Sequence, residues 1–175
     1  MFLEIILVLF LIGVNGLLAM SELAVVSSRP ARLRARAKSG DRGARIALGL
    51  AQDPGKFLST VQIGITLVGV LAGAFSGATI GLRLAEVLPK LGVPQDAANE
   101  IGVGFVVVII TYLSLIMGEL VPKQIALAAP ERVASRVAPA MLVLSRAAAP
   151  VVWLLDHSGK LVLRLIGQSG RRETA

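Results

Sequence analysis

The chain has 175 residues, a net charge of +7 and a mean hydropathy of +0.77, and 55% of its residues are hydrophobic. Soluble domains average about 45–50% apolar residues, so this composition indicates a membrane protein. The absence of cysteine excludes a disulfide framework and thiolate metal sites, and the single histidine, His157, argues against a catalytic triad or a histidine zinc site. We therefore predict that the protein is not an enzyme.

The first predicted membrane helix covers residues 2–28. It carries no basic residue before its apolar run and is too long for a signal peptide, so we interpret it as a retained transmembrane helix. A basic segment follows, with eight lysines and arginines against two aspartates between Arg29 and Lys56. Such a cluster beside a span is typical of a cytoplasmic loop, and we prefer this interpretation to nucleic-acid binding. The turn "KSGDRG" divides residues 30–53 into two short amphipathic helices, which we call the basic belt.

Three more apolar segments follow the basic belt. Those at 57–82 and 101–121 have the roughly 20 residues needed to cross the hydrocarbon core. The last, at 137–155, carries Arg146 at its centre and Pro139 and Pro150 near its ends. If it crossed the membrane, the basic C-terminal tail would lie outside, against the positive-inside tendency. We therefore favour an in-plane or re-entrant segment with breaks at the two prolines.

These assignments predict an all-α membrane protein with three transmembrane helices, a re-entrant or juxtamembrane helix and a cytoplasmic belt. The N-terminus is expected outside and the C-terminus in the cytoplasm, in a multi-pass protein of the plasma or inner membrane. Residues 1–167 would form the transmembrane domain. Residues 168–175 are interpreted as the start of a linker to a cytoplasmic domain outside this sequence.

Each predicted span contains polar side chains, which are costly in lipid and normally face the bundle interior or an aqueous path. Their helical spacing places Ser59, Gln62 and Thr66 on one stripe of the second span, with Thr60 beside it. The polar groups of the three spans offer hydroxyl, amide and carboxylate oxygens, and no sulfur or imidazole. Oxygen ligands favour hard cations such as magnesium, calcium or sodium. The alternative is that the serines, threonines and glycines serve only close helix packing.

The third span ends in "MGELVPKQIA", which places a carboxylate at the edge of the membrane. Pro122 has no N–H, so the carbonyl of Gly118 loses its helical partner and becomes available to a ligand. Glu119 would supply the negative charge. The competing interpretation is that Glu119 forms an i,i+4 ion pair with Lys123 on the helix surface.

Three stretches together resemble the membrane domain of the CorC and cyclin M family of magnesium transporters. They are "NGLLAMSELAVVSSRPARL" at 15–33, "DPGKFLSTVQIGITL" at 53–67 and "GELVPKQIALAAPERVA" at 118–134. The resemblance implies a homodimer, a magnesium ion held within the membrane by oxygens of three helices, and cytoplasmic regulatory domains that this sequence lacks. Carried onto this chain, the matching positions are Asn15, Gly16, Ser21, Ser59, Thr60, Gly118, Glu119 and Pro122.

From the oxygen-bearing spans and the resemblance we predict a magnesium transporter that works by alternating access. The candidate metal ligands are Asn15, Ser21, Ser59, Thr60, Gly118 and Glu119. Magnesium would be the transported substrate; outward transport and sodium as a coupling ion follow from the resemblance alone. The alternatives are a non-transporting magnesium sensor or anchor for a regulatory domain, and a passive divalent-cation channel.

Overall fold

A computed structural model describes residues 2–165, apart from the side chain of Arg164, and every regular element in this range is helical. The linker predicted at 168–175 lies outside the described residues. Two π-helical turns, Gly77–Gly81 and Ile116–Leu120, and a 3₁₀ turn, Leu88–Leu91, join some of the helices. The α-helices are α1 (Phe2–Ser27), α2 (Pro30–Lys38), α3 (Arg42–Gln52), α4 (Pro54–Ser76), α5 (Leu82–Val87), α6 (Gln95–Leu115), α7 (Val121–Ala128) and α8 (Pro130–Leu165).

Four helical segments are long and apolar enough to cross a membrane. They are Phe2–Ser27, Pro54–Leu91, Gln95–Ala128 and Pro130–Leu163, with mean hydropathies of 2.5, 1.9, 2.4 and 1.6. Large apolar side chains on these segments, including Phe10, Val70 and Val108, are mostly exposed, as expected where lipid replaces water. The structure thus confirms an all-helical protein of membrane type. The count of three crossings stays a prediction.

The breaks predicted at the two prolines of the fourth segment are wrong, because α8 continues through both. Its 36 residues make it about 54 Å long, well beyond the roughly 30 Å of a hydrocarbon core. Pro139 cannot donate to the carbonyl of Ser135, four residues back. That carbonyl lies against α3, where a Cβ added to Gly43 would be 1.9 Å from the Ser135 oxygen. Close approach of α3 at a glycine therefore covers the carbonyl that the proline leaves without a helical partner.

The basic belt forms the two short helices predicted from sequence, α2 and α3, with Gly40 at a positive φ of 99° between them. Asp41 caps α3 by accepting from the backbone N–H of Ala44 at 3.0 Å, and it pairs with Arg36 at 3.0 Å. The Ala44 N–H and then the Arg36 side chain lower the pKa of Asp41. These contacts fix the turn at neutral pH and weaken only when acid protonates the carboxylate.

The first turn of α8 contacts the N-terminal end of α2 through Glu131. Glu131 is buried, and its Oε1 accepts from the backbone N–H of Arg29 at 3.3 Å and lies 3.8 Å from the guanidinium of Arg32. The principal apolar core lies nearby, where α1, α3, α4 and α8 meet, and includes Val25, Phe57 and Met141. The basic belt is therefore packed onto the helical bundle as part of one structure.

At the opposite end of the bundle, Arg83 pairs with Glu4 at 2.7 Å. This pair places the first turn of α1 beside the C-terminal part of the apolar segment Pro54–Leu91. The N-terminal part of that segment, which follows the basic belt, therefore lies at the end of the bundle that carries the belt.

Candidate cation site

The third apolar segment changes its hydrogen-bond pattern where the sequence reads "IMGEL". Residues Ile116–Leu120 form a π-helical turn, and the N–H of Val121 donates to the carbonyl of Ile116, five residues back. In an α-helix the N–H of Val121 would donate to the carbonyl of Met117, and the N–H of residue 122 would donate to the carbonyl of Gly118. The next residue is Pro122, which has no N–H. The π-turn and the proline together release two successive carbonyls, those of Met117 and Gly118, from the α-helical pattern.

The released carbonyls face α1 at Asn15 and Gly16. The amide nitrogen of Asn15 donates to the Gly118 carbonyl at 3.1 Å. A Cβ added to Gly16 would lie 3.0 Å from the Met117 oxygen and 3.0 Å from Cγ of Pro122. The glycine on α1 therefore lets the π-turn approach closely, and a larger residue there would push the π-turn back by a few tenths of an ångström. The structure brings Asn15 and Gly118 together, and it assigns the carbonyl predicted to be free to the Asn15 amide.

The carbonyl oxygen of Asn15 is buried and has no hydrogen-bond partner within residues 2–165. A buried acceptor without a donor is costly, and such groups in folded proteins usually have a function or an unseen partner. The same side-chain amide uses its nitrogen to donate to the Gly118 carbonyl, so its oxygen is on the amide that contacts the π-turn. The contact between α1 and the π-turn thus concentrates oxygen acceptors in an apolar environment, where a cation would relieve the unpaired acceptor.

Glu119 adopts the surface arrangement that was the competing interpretation. Its Oε1 accepts from the ammonium of Lys123 at 2.5 Å, and its side chain is 42% exposed. Gly118, one residue earlier, is buried. The carboxylate therefore lies beside the oxygen cluster in sequence, but its charge is paired with Lys123 in this conformation.

The predicted hydroxyl ligands are not gathered at the π-turn. Ser21 and Thr60 are buried, and each donates to the carbonyl four residues back on its own helix, at 2.6 and 2.9 Å. Ser59 is exposed on α4. The helix α4, residues 54–76, makes no direct contact with residues 116–120, since α1 lies between and touches both. The predicted site from three helices is thus only partly assembled, with α1 and the π-turn in place.

The outward stripe is our name for the exposed polar and small residues of α4. Ser59, Gln62 and Thr66 were expected to face the interior, and the structure places all three, together with Gly69, on the exposed surface of the single chain. The helical periodicity correctly placed these residues on one face of α4. It could not predict whether that face is buried in the bundle or exposed on its outside, because the opposite apolar face has the same sequence pattern whether it contacts lipid or another helix.

Sequence reasoning also missed the Met117 carbonyl. A proline identifies the carbonyl four residues before it, but a π-turn shifts the pattern and releases a second one. The only sequence signal for a close approach here was the pair of glycines, Gly16 and Gly118, on two different spans.

Comparison with known proteins places the chain in a family. The description "Cyclin M transmembrane N-terminal domain" matches residues 6–175. The chain belongs to the cyclin M family. This confirms the resemblance read from the three stretches of sequence.

Named relatives are found among bacterial proteins. The chain is 50% identical over 165 residues to the UPF0053 protein sll0260 of Synechocystis sp., covering 94% of the chain and 37% of that protein. It is 33% identical over 147 residues to the UPF0053 inner membrane protein YfjD of Escherichia coli, covering 84% and 31%. It is 26% identical over 162 residues to the Polyamine export protein of Escherichia coli, covering 93% and 36%. The chain thus spans about a third of the length of these relatives.

Proposed function

We propose that this cyclin M domain binds magnesium at the contact between α1 and the π-turn and moves it across the membrane. The observation that carries the proposal is the buried, unpaired carbonyl oxygen of Asn15, on the amide that donates to the Gly118 carbonyl, between helices apolar enough to cross a bilayer. Family membership supports a transport role. The hard oxygen ligands of the donor set support magnesium, calcium or sodium, and the choice of magnesium among them rests on the resemblance to the CorC and cyclin M family of magnesium transporters.

Magnesium requires a near-octahedral set of oxygens at about 2.1 Å and gives up its water reluctantly. The Asn15 oxygen and the two released carbonyls supply part of such a set. Glu119 would supply charge after leaving Lys123, which neutralises the carboxylate in the arrangement described above. Ser21, Ser59 and Thr60 would complete the set only if α4 moved relative to the π-turn.

Because the ligand set is incomplete, we propose that the domain alternates between two states. In the state described here, α1 separates α4 from the π-turn, and the hydroxyls of Ser21 and Thr60 donate to carbonyls of their own helices. In the second state, the hydroxyl oxygens of the predicted ligands turn toward the magnesium ion. The basic belt would mark the cytoplasmic side, so magnesium would enter there and leave outward, with sodium as the coupling ion. Both the direction and the coupling are part of the proposal.

The outward stripe supports the proposed homodimer. Ser59, Gln62 and Thr66 would each be costly against lipid, because hydrocarbon offers no hydrogen-bond partner. Gly69 has open space where a Cβ would lie, which permits close approach of a second helix. A second copy that covers this stripe, or an aqueous path between two copies, would satisfy these groups.

Replacing Glu119 with glutamine tests the role of the carboxylate. We expect magnesium uptake into sealed liposomes to fall at least tenfold, because glutamine keeps the shape of the side chain and removes its charge. Glu100→Gln, which makes the same change at an exposed position of α6, is the matched control and should retain wild-type flux. Wild-type magnesium flux in the Glu119→Gln variant would show that the Glu119 carboxylate has no role in transport.

The same liposomes separate the alternative functions. A sensor or anchor would be stabilised by magnesium without any flux, and a passive channel would conduct regardless of a sodium gradient. Because one relative is named Polyamine export protein, spermidine is the natural competing cargo. Spermidine transport without magnesium transport would contradict the magnesium assignment.

Replacing Pro122 with alanine tests the released carbonyls. Alanine restores an N–H that can donate to the Gly118 carbonyl, so the π-turn can relax to α-helix and the carbonyls turn away from Asn15. We expect magnesium affinity to fall about tenfold, which lowers the stabilisation by saturating magnesium by about 1.4 kcal/mol. Thermal unfolding with and without magnesium measures this. Pro94→Ala, at an exposed position before α6, should leave the stabilisation intact.

A further inference from the structure

A cavity of about 500 Å³ lies between α3, the first turn of α4 and α8, away from the candidate cation site. Its volume falls in the range of about 300–1,000 Å³ typical of pockets that hold small molecules. Its walls are largely apolar and include Ile46, Leu50, Phe57 and Leu142. The cavity opens at the level where the basic belt passes into α4, which is where a membrane interface would lie.

Two cations share the rim of this cavity. Lys56, in the first turn of α4, and Arg146, in the middle of α8, both line it and are both exposed. Neither forms an ion pair with another described side chain of residues 2–165. Asp53 also lines the cavity, so the local balance is two positive charges against one negative. Ser145, which is buried, belongs to the same lining.

Arg146 is otherwise unexplained. A charged residue in the middle of an apolar helix is costly in lipid, and such residues face a partner, an aqueous cavity or a headgroup. Here it shares a cavity with Lys56, which follows directly on the basic belt and so lies near the membrane boundary. A long arginine side chain at that depth reaches the headgroup layer by snorkelling.

We propose that this cavity binds one anionic phospholipid. Its phosphate would contact Lys56 and Arg146, and the upper part of an acyl chain would lie against the partly exposed Ile46 and Leu142. Charge complementarity selects an anionic lipid over a zwitterionic one, since basic groups beside a membrane surface attract anionic headgroups. The apolar walls select a lipid over a free phosphate ion. This lipid site is independent of the ion that the domain transports.

The test uses the purified chain in detergent, with phosphatidylglycerol and phosphatidylcholine of identical acyl chains as probes and native mass spectrometry as the readout. We expect phosphatidylglycerol to be retained at least tenfold more tightly than phosphatidylcholine. The double substitution Lys56→Gln with Arg146→Gln should abolish that preference. The matched control, Arg34→Gln with Arg45→Gln, removes the same charge from exposed positions of the basic belt that do not line the cavity, and it should keep the preference.

A second variant tests the cavity without changing its charge. A Cβ on Gly49 would meet nothing within 4 Å, and Gly49 lines the cavity, so Gly49→Leu should fill it while the fold is retained. We expect this variant to lose bound phosphatidylglycerol although both cations remain. If the preference for phosphatidylglycerol falls equally in the Lys56→Gln/Arg146→Gln variant and in the Arg34→Gln/Arg45→Gln control, the proposal is overturned in favour of diffuse attraction to the basic belt. Displacement of the lipid by millimolar glycerol 3-phosphate would overturn it in favour of a phosphate site.

Discussion

Replacing Gly43 with alanine is expected to disrupt the packing of the basic belt on α8. The added Cβ would lie 1.9 Å from the backbone oxygen of Ser135 and 2.8 Å from its carbonyl carbon, so α3 and α8 must separate. Overpacking against flexible side chains costs about 1–3 kcal/mol, and contact with a backbone atom cannot be relieved by a rotamer change. We expect a loss of about 3 kcal/mol or more, measured as a lower melting temperature by far-UV circular dichroism in detergent.

Gly49→Ala provides the control on the same helix. Its Cβ would meet nothing within 4 Å, so the variant should be neutral or stabilised by up to about 1 kcal/mol through helix propensity. Equal melting temperatures for the Gly43 and Gly49 variants would show that α3 does not pack on α8 at Ser135.

Replacing Asn15 with leucine is the functional change with the largest expected effect. Leucine has a similar size but offers no oxygen to a cation and no N–H to the Gly118 carbonyl. We expect magnesium flux to fall at least a hundredfold and magnesium-dependent stabilisation to disappear. The buried Gly118 carbonyl also loses its donor, which should cost about 1–3 kcal/mol of stability without magnesium.

Gly13→Ala is the matched control for this change on α1. Its Cβ would meet nothing within 4 Å, and Gly13 is exposed, so both flux and stability should remain at wild-type levels. If Asn15→Leu loses stability but retains magnesium flux, Asn15 has a structural role only and the proposed site is wrong.

Much of the fold could be predicted from sequence because hydropathy and turn chemistry act locally. The four apolar segments, the two belt helices and the turn at Gly40 all follow from composition and from residues that favour turns. The course of α8 could not be predicted this way. Pro139 and Pro150 each favour a break by local rules, but α8 continues through both, and its packing against α3 joins residues about ninety positions apart in the chain.

The candidate site was predictable in its parts and not in its assembly. Pro122, which has no N–H, identifies the Gly118 carbonyl as one that lacks its α-helical donor. The sequence could not show that Asn15 donates to it across 103 positions, nor that the π-turn releases Met117 as well. For Glu119, the i,i+4 spacing to Lys123 described the observed pairing better than the ion-ligand interpretation did.

The inner coordination shell of a bound ion tests the central claim most directly. A structure of the chain in lipid nanodiscs with magnesium should show an ion bound to Asn15 Oδ1 and to a carbonyl at Met117 or Gly118. The metal–oxygen distances should be about 2.1 Å in a near-octahedral arrangement. An empty contact between α1 and the π-turn at saturating magnesium, or seven or eight oxygens at about 2.4 Å as calcium prefers, would contradict it.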